Sequence, residues 1–357
     1  MTTTPTTPEP GPAPDPDPAE LEPATIMQVG TGFFTAKTLL SAVELGLFTT
    51  LGSGAMTGQE IAERLDLRSR AVYDFLDGLL ALGLLERDGQ GEQALYRNTP
   101  ETAQFLDAMS PTYIGGILEM ANDRLYGFWD NLTEALRTGE PQNEIKQTGR
   151  PLFEELYREP DRLDQFMRAM AGIQAGNFHA LAETVDFGRY ETVCDVGGAT
   201  GLLSIVLAQH HAHLRCTSFD LPAVEPIATR NIKEAGLDDR VTVASGDFFG
   251  EPLPQADVVT MGNILHDWNL DRKVQLVQAA YDALPPGGLF IVIENIIDDE
   301  RRRNVFGLMM SLNMLIEFGD AFDFTGADLA GWCQDAGFSR LDIVPLTGPA
   351  SAGIALK

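Results

Sequence analysis

Cysteine, basic residues and long apolar runs are all scarce in this chain. The three cysteines, Cys194, Cys216 and Cys333, stand far apart with no Cys-x-x-Cys pair. An odd number excludes a complete disulfide framework, and the spacing excludes a cysteine-based zinc site. Lys and Arg number 25 against 52 Asp and Glu, a formal net charge of −27. Nucleic-acid backbones and anionic membranes attract basic surfaces, so neither is expected as a main partner. No apolar run reaches the roughly 18 residues of a membrane helix. The N-terminus shows no basic region followed by an apolar stretch, so no secretory signal is expected. The expected setting is the reducing cytoplasm.

What is present is a chain of 357 residues, 44 % apolar, long enough for two domains with sizeable cores. Residues 1–23 hold eight of the 21 prolines and have little to bury, which predicts a disordered tail. Residues 24–108 then form a first domain. Phe33, Phe34, Leu39, Leu40, Val43, Leu47 and Phe48 are spaced for helix faces that need a partner. Thr57-Gly58-Gln59-Glu60 is a capping box that opens a helix through Leu65. Ser69 starts another, with Val72, Phe75, Leu76, Leu79 and Leu80 on one face and Gly83 as its stop. Leu84–Gly89 and Tyr96 supply a strand, a turn and a return strand, completing a winged-helix pattern. Its Arg64, Arg68, Arg70, Arg87 and Arg97 are outnumbered by acids, and Asp74 and Asp77 sit on the would-be recognition helix. A DNA-binding regulator, which needs a basic face there, is therefore disfavoured.

Residues 109–187 are helical, with large apolar faces from Phe128, Trp129, Leu132, Leu136, Phe153, Leu156, Tyr157, Phe166, Met167 and Met170. Over 188–357 the rhythm becomes strand–helix–strand. Strands are expected at 192–196, 214–220, 241–245, 256–261 and 288–294, which predicts a doubly wound, Rossmann-like parallel sheet. Leu341–Leu346 and Ala352–Leu356 add an antiparallel hairpin at its edge. The first strand runs into Asp195-Val196-Gly197-Gly198-Ala199-Thr200-Gly201, a turn whose glycines let the backbone approach a ligand. The second strand ends in Asp220, placed to accept ribose hydroxyls. The third ends in Gly246-Asp247-Phe248, a carboxylate and an aromatic face for an adenine.

With Leu265-His266-Asp267-Trp268 and Pro286-Gly287-Gly288, these motifs make the chain resemble the S-adenosylmethionine-dependent small-molecule O-methyltransferases, the family of plant phenolic and bacterial natural-product enzymes. The resemblance covers nearly everything after the tail. It implies a class I methyltransferase fold, a winged-helix dimerisation domain and a homodimer. It implies S-adenosylmethionine as cofactor, S-adenosylhomocysteine as product, and a small aromatic or polyketide-like hydroxyl as acceptor. Gly197 and Gly201 would line the methionine part of the cofactor, and Asp195 and Gly198 would belong to the same cofactor-binding turn. Asp220 would bind the ribose, Leu221 would flank the adenine, Asp247 and Phe248 would hold it, and Trp268 would close over it. His266 would be the general base, oriented by Glu294 and Asp323.

A free phenol titrates near ~10, so a nearby base is what methyl transfer to oxygen requires, and no metal is needed. Phe166, Met170 and Met314 match family substrate positions. Asn313 and Glu317, one helical turn apart, would add polar contacts. The chain departs from the family at Ala199, where another Gly is usual. It departs again in Gly319–Thr325, where Asp323 replaces a longer carboxylate and Phe324 stands where Arg is common. The shorter side chain puts the contact of Asp323 with His266 in question. It also leaves open a relative that methylates carbon, or one that binds the cofactor without transferring its methyl. An NAD-dependent dehydrogenase fits neither the Asp-first glycine turn nor the terminal hairpin.

Overall fold

The structure, a computed structural model, describes residues 21–68, 70–149 and 160–357. Ser69, Phe153, Leu156 and Tyr157 and most of the proline-rich segment lie outside the described residues. The capping box at Thr57 forms as its residue types dictate. Thr57 Oγ1 accepts from the Glu60 N–H, and the Glu60 carboxylate accepts from the Thr57 N–H at 2.8 Å. Helices Gly58–Arg64 and Val72–Ala81 follow. The strands β1 (Met56–Thr57), β2 (Leu85–Asp88) and β3 (Leu95–Asn98) form a small antiparallel sheet in the order β1-β3-β2. Phe48, Ile61, Leu76, Leu79 and Tyr96 close the core of this winged-helix unit.

Short helices lead through Pro100–Phe105, Gly115–Met120, Tyr126–Trp129 and Leu132–Thr138, with a π-helical turn at Ala121–Leu125. Leu136, expected on an apolar face, is exposed instead, because its helix turns Ala135 inward. The 25-residue helix Pro160–Thr184 then packs on helix Leu202–His210.

The larger sheet contains β4 (Thr192–Val196), β5 (Arg215–Asp220), β6 (Val241–Ser245), β7 (Val258–Gly262), β8 (Leu289–Glu294), β9 (Arg340–Pro345) and β10 (Ser351–Leu356). Their order is β6-β5-β4-β7-β8-β10-β9, with β4 to β8 parallel and β10 antiparallel to both of its neighbours, β8 and β9. All six residues of β8 are buried, as expected of a parallel strand covered on both faces. Successive side chains point to opposite faces, so Ile291 and Ile293 join one core while Phe290 and Val292 join the other. The strand order reverses between β4 and β7. Open α/β sheets bind ligands at that reversal, beyond the carboxyl ends of the strands. Among the described residues no helix is long and apolar enough to cross a membrane.

Candidate active site

The turn after β4 is held open by backbone geometry. Gly197 and Gly201 adopt φ of +72° and +76°, which glycine reaches without steric cost. Ala199 between them has φ +47°, so the residue that replaces the family's glycine is in the left-handed region. The N–H groups of Gly197 and Gly198 donate to the Phe219 carbonyl at 2.8 and 3.2 Å. A Cβ on Gly198 would meet Ser218 Oγ at 2.2 Å, so only glycine fits. Asp220 ties this turn to its own strand end. Its carboxylate accepts from the Ala199 N–H at 2.8 Å and from the Leu221 N–H at 2.7 Å.

A crevice too narrow to hold a water molecule is lined by Ala199, Asp220, Leu221, Val224 and Ser245. Asp195 does not line it. That residue is buried, accepts from Thr260 Oγ1 at 2.8 Å, and is pushed up to about 7 by its burial. Asp247 is exposed and accepts from the Phe249 N–H at 2.9 Å, capping its own turn. Phe248 and Phe249 meet the Trp268 ring edge-on at 5.9 and 4.6 Å between centroids.

These residues fit an adenosyl sulfonium. A carboxylate has about four acceptor positions, and the two backbone bonds leave Asp220 two for ribose hydroxyls. Three aromatic rings suit a cation and an adenine. The Trp268 Nε1–H is buried with no acceptor among the described residues, a donor that awaits a partner.

Beyond β7, Asn263 takes φ +52° and a single 3₁₀ turn, Leu265–Asp267, carries His266 into the interior. The ring is 6 % exposed. Nδ1 lies 3.4 Å from Asp323 Oδ1 and 3.7 Å from Glu294 Oε2, while Nε2 lies 3.3 Å from Asp267 Oδ1. Glu294 also accepts from the His266 N–H at 3.3 Å, tying the ring's turn to the end of β8. The shorter Asp323 therefore does reach the imidazole. Both its oxygens are buried and otherwise unpaired among the described residues.

Burial alone depresses the ring, but the charges of Glu294, Asp267 and Asp323 outweigh it and push His266 up to about 10. Burial pushes Glu294 up to about 7 and Asp267 up to about 6, with His266 opposing in both. Ligand atoms of His266, Glu294 and Asp323 lie within 4.8 Å of one another, brought together from three distant segments. These carboxylates favour the protonated ring.

The expected substrate residues fall into two settings. Phe166 packs with Leu163, Met167, Val224 and Ala199, against the cofactor turn, and Met170 is half-buried one turn along the same helix. Met314 is buried on helix Val305–Phe318. Asn313 and Glu317 instead belong to a polar network. Asn313 Oδ1 accepts from Trp129 Nε1 at 2.9 Å. Glu317 Oε2 accepts from Asn143 at 2.7 Å and from Arg124 at 3.0 Å. Arg124, on the π-helical turn, also makes two 2.7 Å bonds to Glu144. Arg124 and the facing of Asp267 toward Nε2 escaped sequence reasoning. Lys273 escaped too, although its pattern was available. It shares a helix face with Leu276, Val277 and Ala280, where an apolar residue is expected.

The family model for an O-methyltransferase domain matches residues 129–339, and that for an O-methyltransferase dimerisation domain matches residues 27–107. The chain is 40 % identical to a tetracenomycin polyketide synthesis 8-O-methyl transferase of Streptomyces glaucescens, over 94 % of this chain and 97 % of that one. It is 35 % identical to an N,N-dimethyltransferase of Streptomyces rimosus, over 88 % and 90 %. Among solved structures, human N-acetylserotonin methyltransferase in complex with S-adenosylmethionine superposes with a TM-score of 0.86 at 27 % identity, over 97 % and 99 % of the two chains. The glycine turn, the strand-end carboxylates, the buried histidine and these matches converge: the chain belongs to the O-methyltransferase family, with that family's dimerisation domain at its N-terminal side.

Proposed function

We propose that the protein transfers the methyl group of S-adenosylmethionine to a phenolic or enolic oxygen of a small aromatic, polyketide-like molecule, with His266 as general base. The observation that carries this is a buried imidazole, framed by three carboxylates, after β7 at the strand-order reversal, with the glycine turn that follows the neighbouring β4 on the other side of it. When bound, the cofactor supplies an electrophilic methyl on a positively charged sulfur.

Gly197, Gly198 and Gly201 shape the turn on which the cofactor lies. Asp220 would accept its ribose hydroxyls, Leu221, Asp247 and Phe248 would hold its adenine, and Trp268 would close over it. Asp195 braces the turn from beneath. Phe166, Met170 and Met314 form the apolar wall, while Asn313 and Glu317 stiffen it through Trp129, Arg124 and Asn143.

Glu294 and Asp323 face Nδ1 and hold the ring, and Nε2, the nitrogen that would meet the substrate hydroxyl, stands 3.3 Å from Asp267 Oδ1 and must exchange that contact for the hydroxyl. A free phenol titrates near ~10, close to the ring's raised value of about 10. The imidazole therefore holds the abstracted proton about as firmly as the phenol did. The matching cost is that the ring must enter turnover neutral, so kcat/KM rises with pH through the neutral range.

The homodimer buries the faces that a single chain leaves open, among them Ile26, Met27, Val29, Phe33 and Phe34. The winged-helix unit serves that contact rather than DNA. Arg87 is paired with Asp77 at 2.6 Å, Arg97 with Glu86 at 2.8 Å and Arg68 with Asp66 at 3.0 Å. Paired arginines leave little charge for phosphates. We assign the dimerisation unit to residues 24–108, the helical pocket segment to 109–187, the cofactor domain to 188–357, and the whole to the cytoplasm.

The relative named as an N,N-dimethyltransferase favours one second reading, transfer to nitrogen. Incubation with labelled S-adenosylmethionine and a panel of hydroxylated and aminated aromatics separates the two. NMR of the product should place the methyl on oxygen. A methyl on nitrogen or carbon, with hydroxyl acceptors inert, contradicts the reading.

A further inference from the structure

Among the described residues Lys273 is the only lysine or arginine with a fully buried side chain. It projects from helix Leu270–Ala283 at a position shared with the buried Leu276, Val277 and Ala280. Its Nζ donates to the Trp268 carbonyl oxygen and lies 3.8 Å from the centroid of the Phe322 ring and 5.9 Å from that of Phe324. Burying an ammonium is unfavourable unless charges and hydrogen bonds compensate, whereas a leucine or alanine there would carry no such penalty. The compensation comes from the active-site cluster, because Glu294, Asp323, Asp267 and Asp320 all favour its charged form.

We propose that Lys273 is a positioning residue of the methyl-transfer site, whose buried positive charge favours the neutral form of His266 and the charged forms of Asp267 and Glu294 around it. This rests on His266 being the base. The groups facing the ring come from every side. Asp267 lies on its own turn, Glu294 ends β8, and Asp323 comes from the loop before Thr325, while Lys273 stands behind them against the Trp268 carbonyl and the Phe322 and Phe324 rings that flank Asp323 in the chain. Glu317, neutralised by Arg124, lies one step further out.

With three ionised carboxylates and a neutral ring, the cluster alone would carry three buried negative charges. Such a site takes up protons until its charge falls. A cation beside it lowers the proton affinity of every member. It therefore shifts the ring toward the neutral form that a base needs and the carboxylates toward the charged form that orients the ring. The bond to the Trp268 carbonyl ties the Lys273 helix to the segment that carries both His266 and the Trp268 ring. Lys273 is pushed down to about 8 by burial, against the pull of those carboxylates, and so stays charged at neutral pH.

The test compares full-length Lys273→Met and Lys273→Gln with the unaltered protein. The glutamine keeps a donor for the Trp268 carbonyl and loses only the charge. Two readouts are taken: the pH profile of kcat/KM, and the titration of the His266 ring followed by 13Cε1 NMR. Both variants should move the His266 titration and the acidic limb of the profile upward by about one pH unit. A uniform loss of kcat at every pH, with the titration unmoved, would make Lys273 merely structural and overturn the proposal.

The NMR readout does not depend on turnover. A His266→Ala variant that still turns over refutes the base assignment, while an upward NMR shift still establishes the coupling. Should neither neutral variant fold, the lysine 13Cε resonance of the unaltered protein decides. An ammonium at pH 7 supports the proposal, and a neutral amine at pH 7 overturns it.

Discussion

At the scale of single residues, the site is a set of side chains held in unfavourable states by their neighbours. Ala199 is the simplest case. An L-residue in the left-handed region costs roughly 1–2 kcal/mol, and glycine does not pay it. Ala199→Gly should therefore raise stability by about 1 kcal/mol or slightly less, since glycine also loses more entropy on folding. The shift should appear as a later denaturant midpoint at constant slope. An earlier midpoint would mean that the Ala199 methyl makes packing contacts worth more than the strain.

The carboxylates and His266 form the second case. Strand-end position pointed to Asp220 and His266, and the family resemblance to Glu294, and the structure brings the carboxylate of Glu294 to within 3.7 Å of the His266 ring. The reach of Asp323 was not legible. Side-chain length alone suggested a lost contact, and only the path of the backbone after Gly319 brings Oδ1 to 3.4 Å from the ring. The second face of the ring, toward Asp267, was hidden for the same reason. A 3₁₀ turn rather than a strand carries the motif, and it folds a side chain back onto its neighbour.

At the scale of elements, helix starts and strand ends set the position of the chemistry. The helix Gly326–Ala336 begins with a capping box in which Thr325 and Asp328 each satisfy the other's N–H. The same Thr325 lies in a parallel bridge with Ile297, which anchors the loop that carries Asp323. Thr325→Ala should cost about 1 kcal/mol of stability, and it should lower kcat because the loop that carries Asp323 loosens. Thr325→Ser should restore both, as thermal melts and initial rates will show. If kcat holds in the alanine variant, the loop is fixed from elsewhere.

The five parallel strands and the hairpin were legible almost to the residue, since buried β-branched runs between Gly and Asp turns leave few alternatives. The helical stretch between the two domains was less so. Its apolar residues are too evenly spread to show which face turns inward, and Leu136 turned outward.

At the scale of the whole molecule, charge connects stability to pH. Glu294 and Asp267 bind protons more tightly in the folded chain than unfolded, since burial holds them up at about 7 and about 6. His266 does so too, at about 10 under the pull of its carboxylates. A group raised on folding contributes stability that is complete below its unfolded value and lost as pH rises toward its folded one. All three therefore favour acid, and the free protein should melt at a lower temperature at pH 7.5 than at pH 5.5. Above pH 8 Lys273, held down at about 8 mainly by burial, works the other way. Differential scanning calorimetry across that range checks the sign, and a higher melting temperature at pH 7.5 would show that the cluster is not charged as described. The net charge of −27 adds to this trend through self-repulsion, which added salt screens, whereas the buried cluster is screened much less.

The central claim is that a base buried between three carboxylates removes the acceptor's proton. It is tested most directly by replacing His266 with Ala, then measuring methyl transfer to one accepted phenol beside cofactor affinity by calorimetry. Turnover should fall by roughly 10²–10⁴ while the affinity for S-adenosylmethionine stays near its original value. Turnover within a few-fold of the unaltered protein would contradict the account.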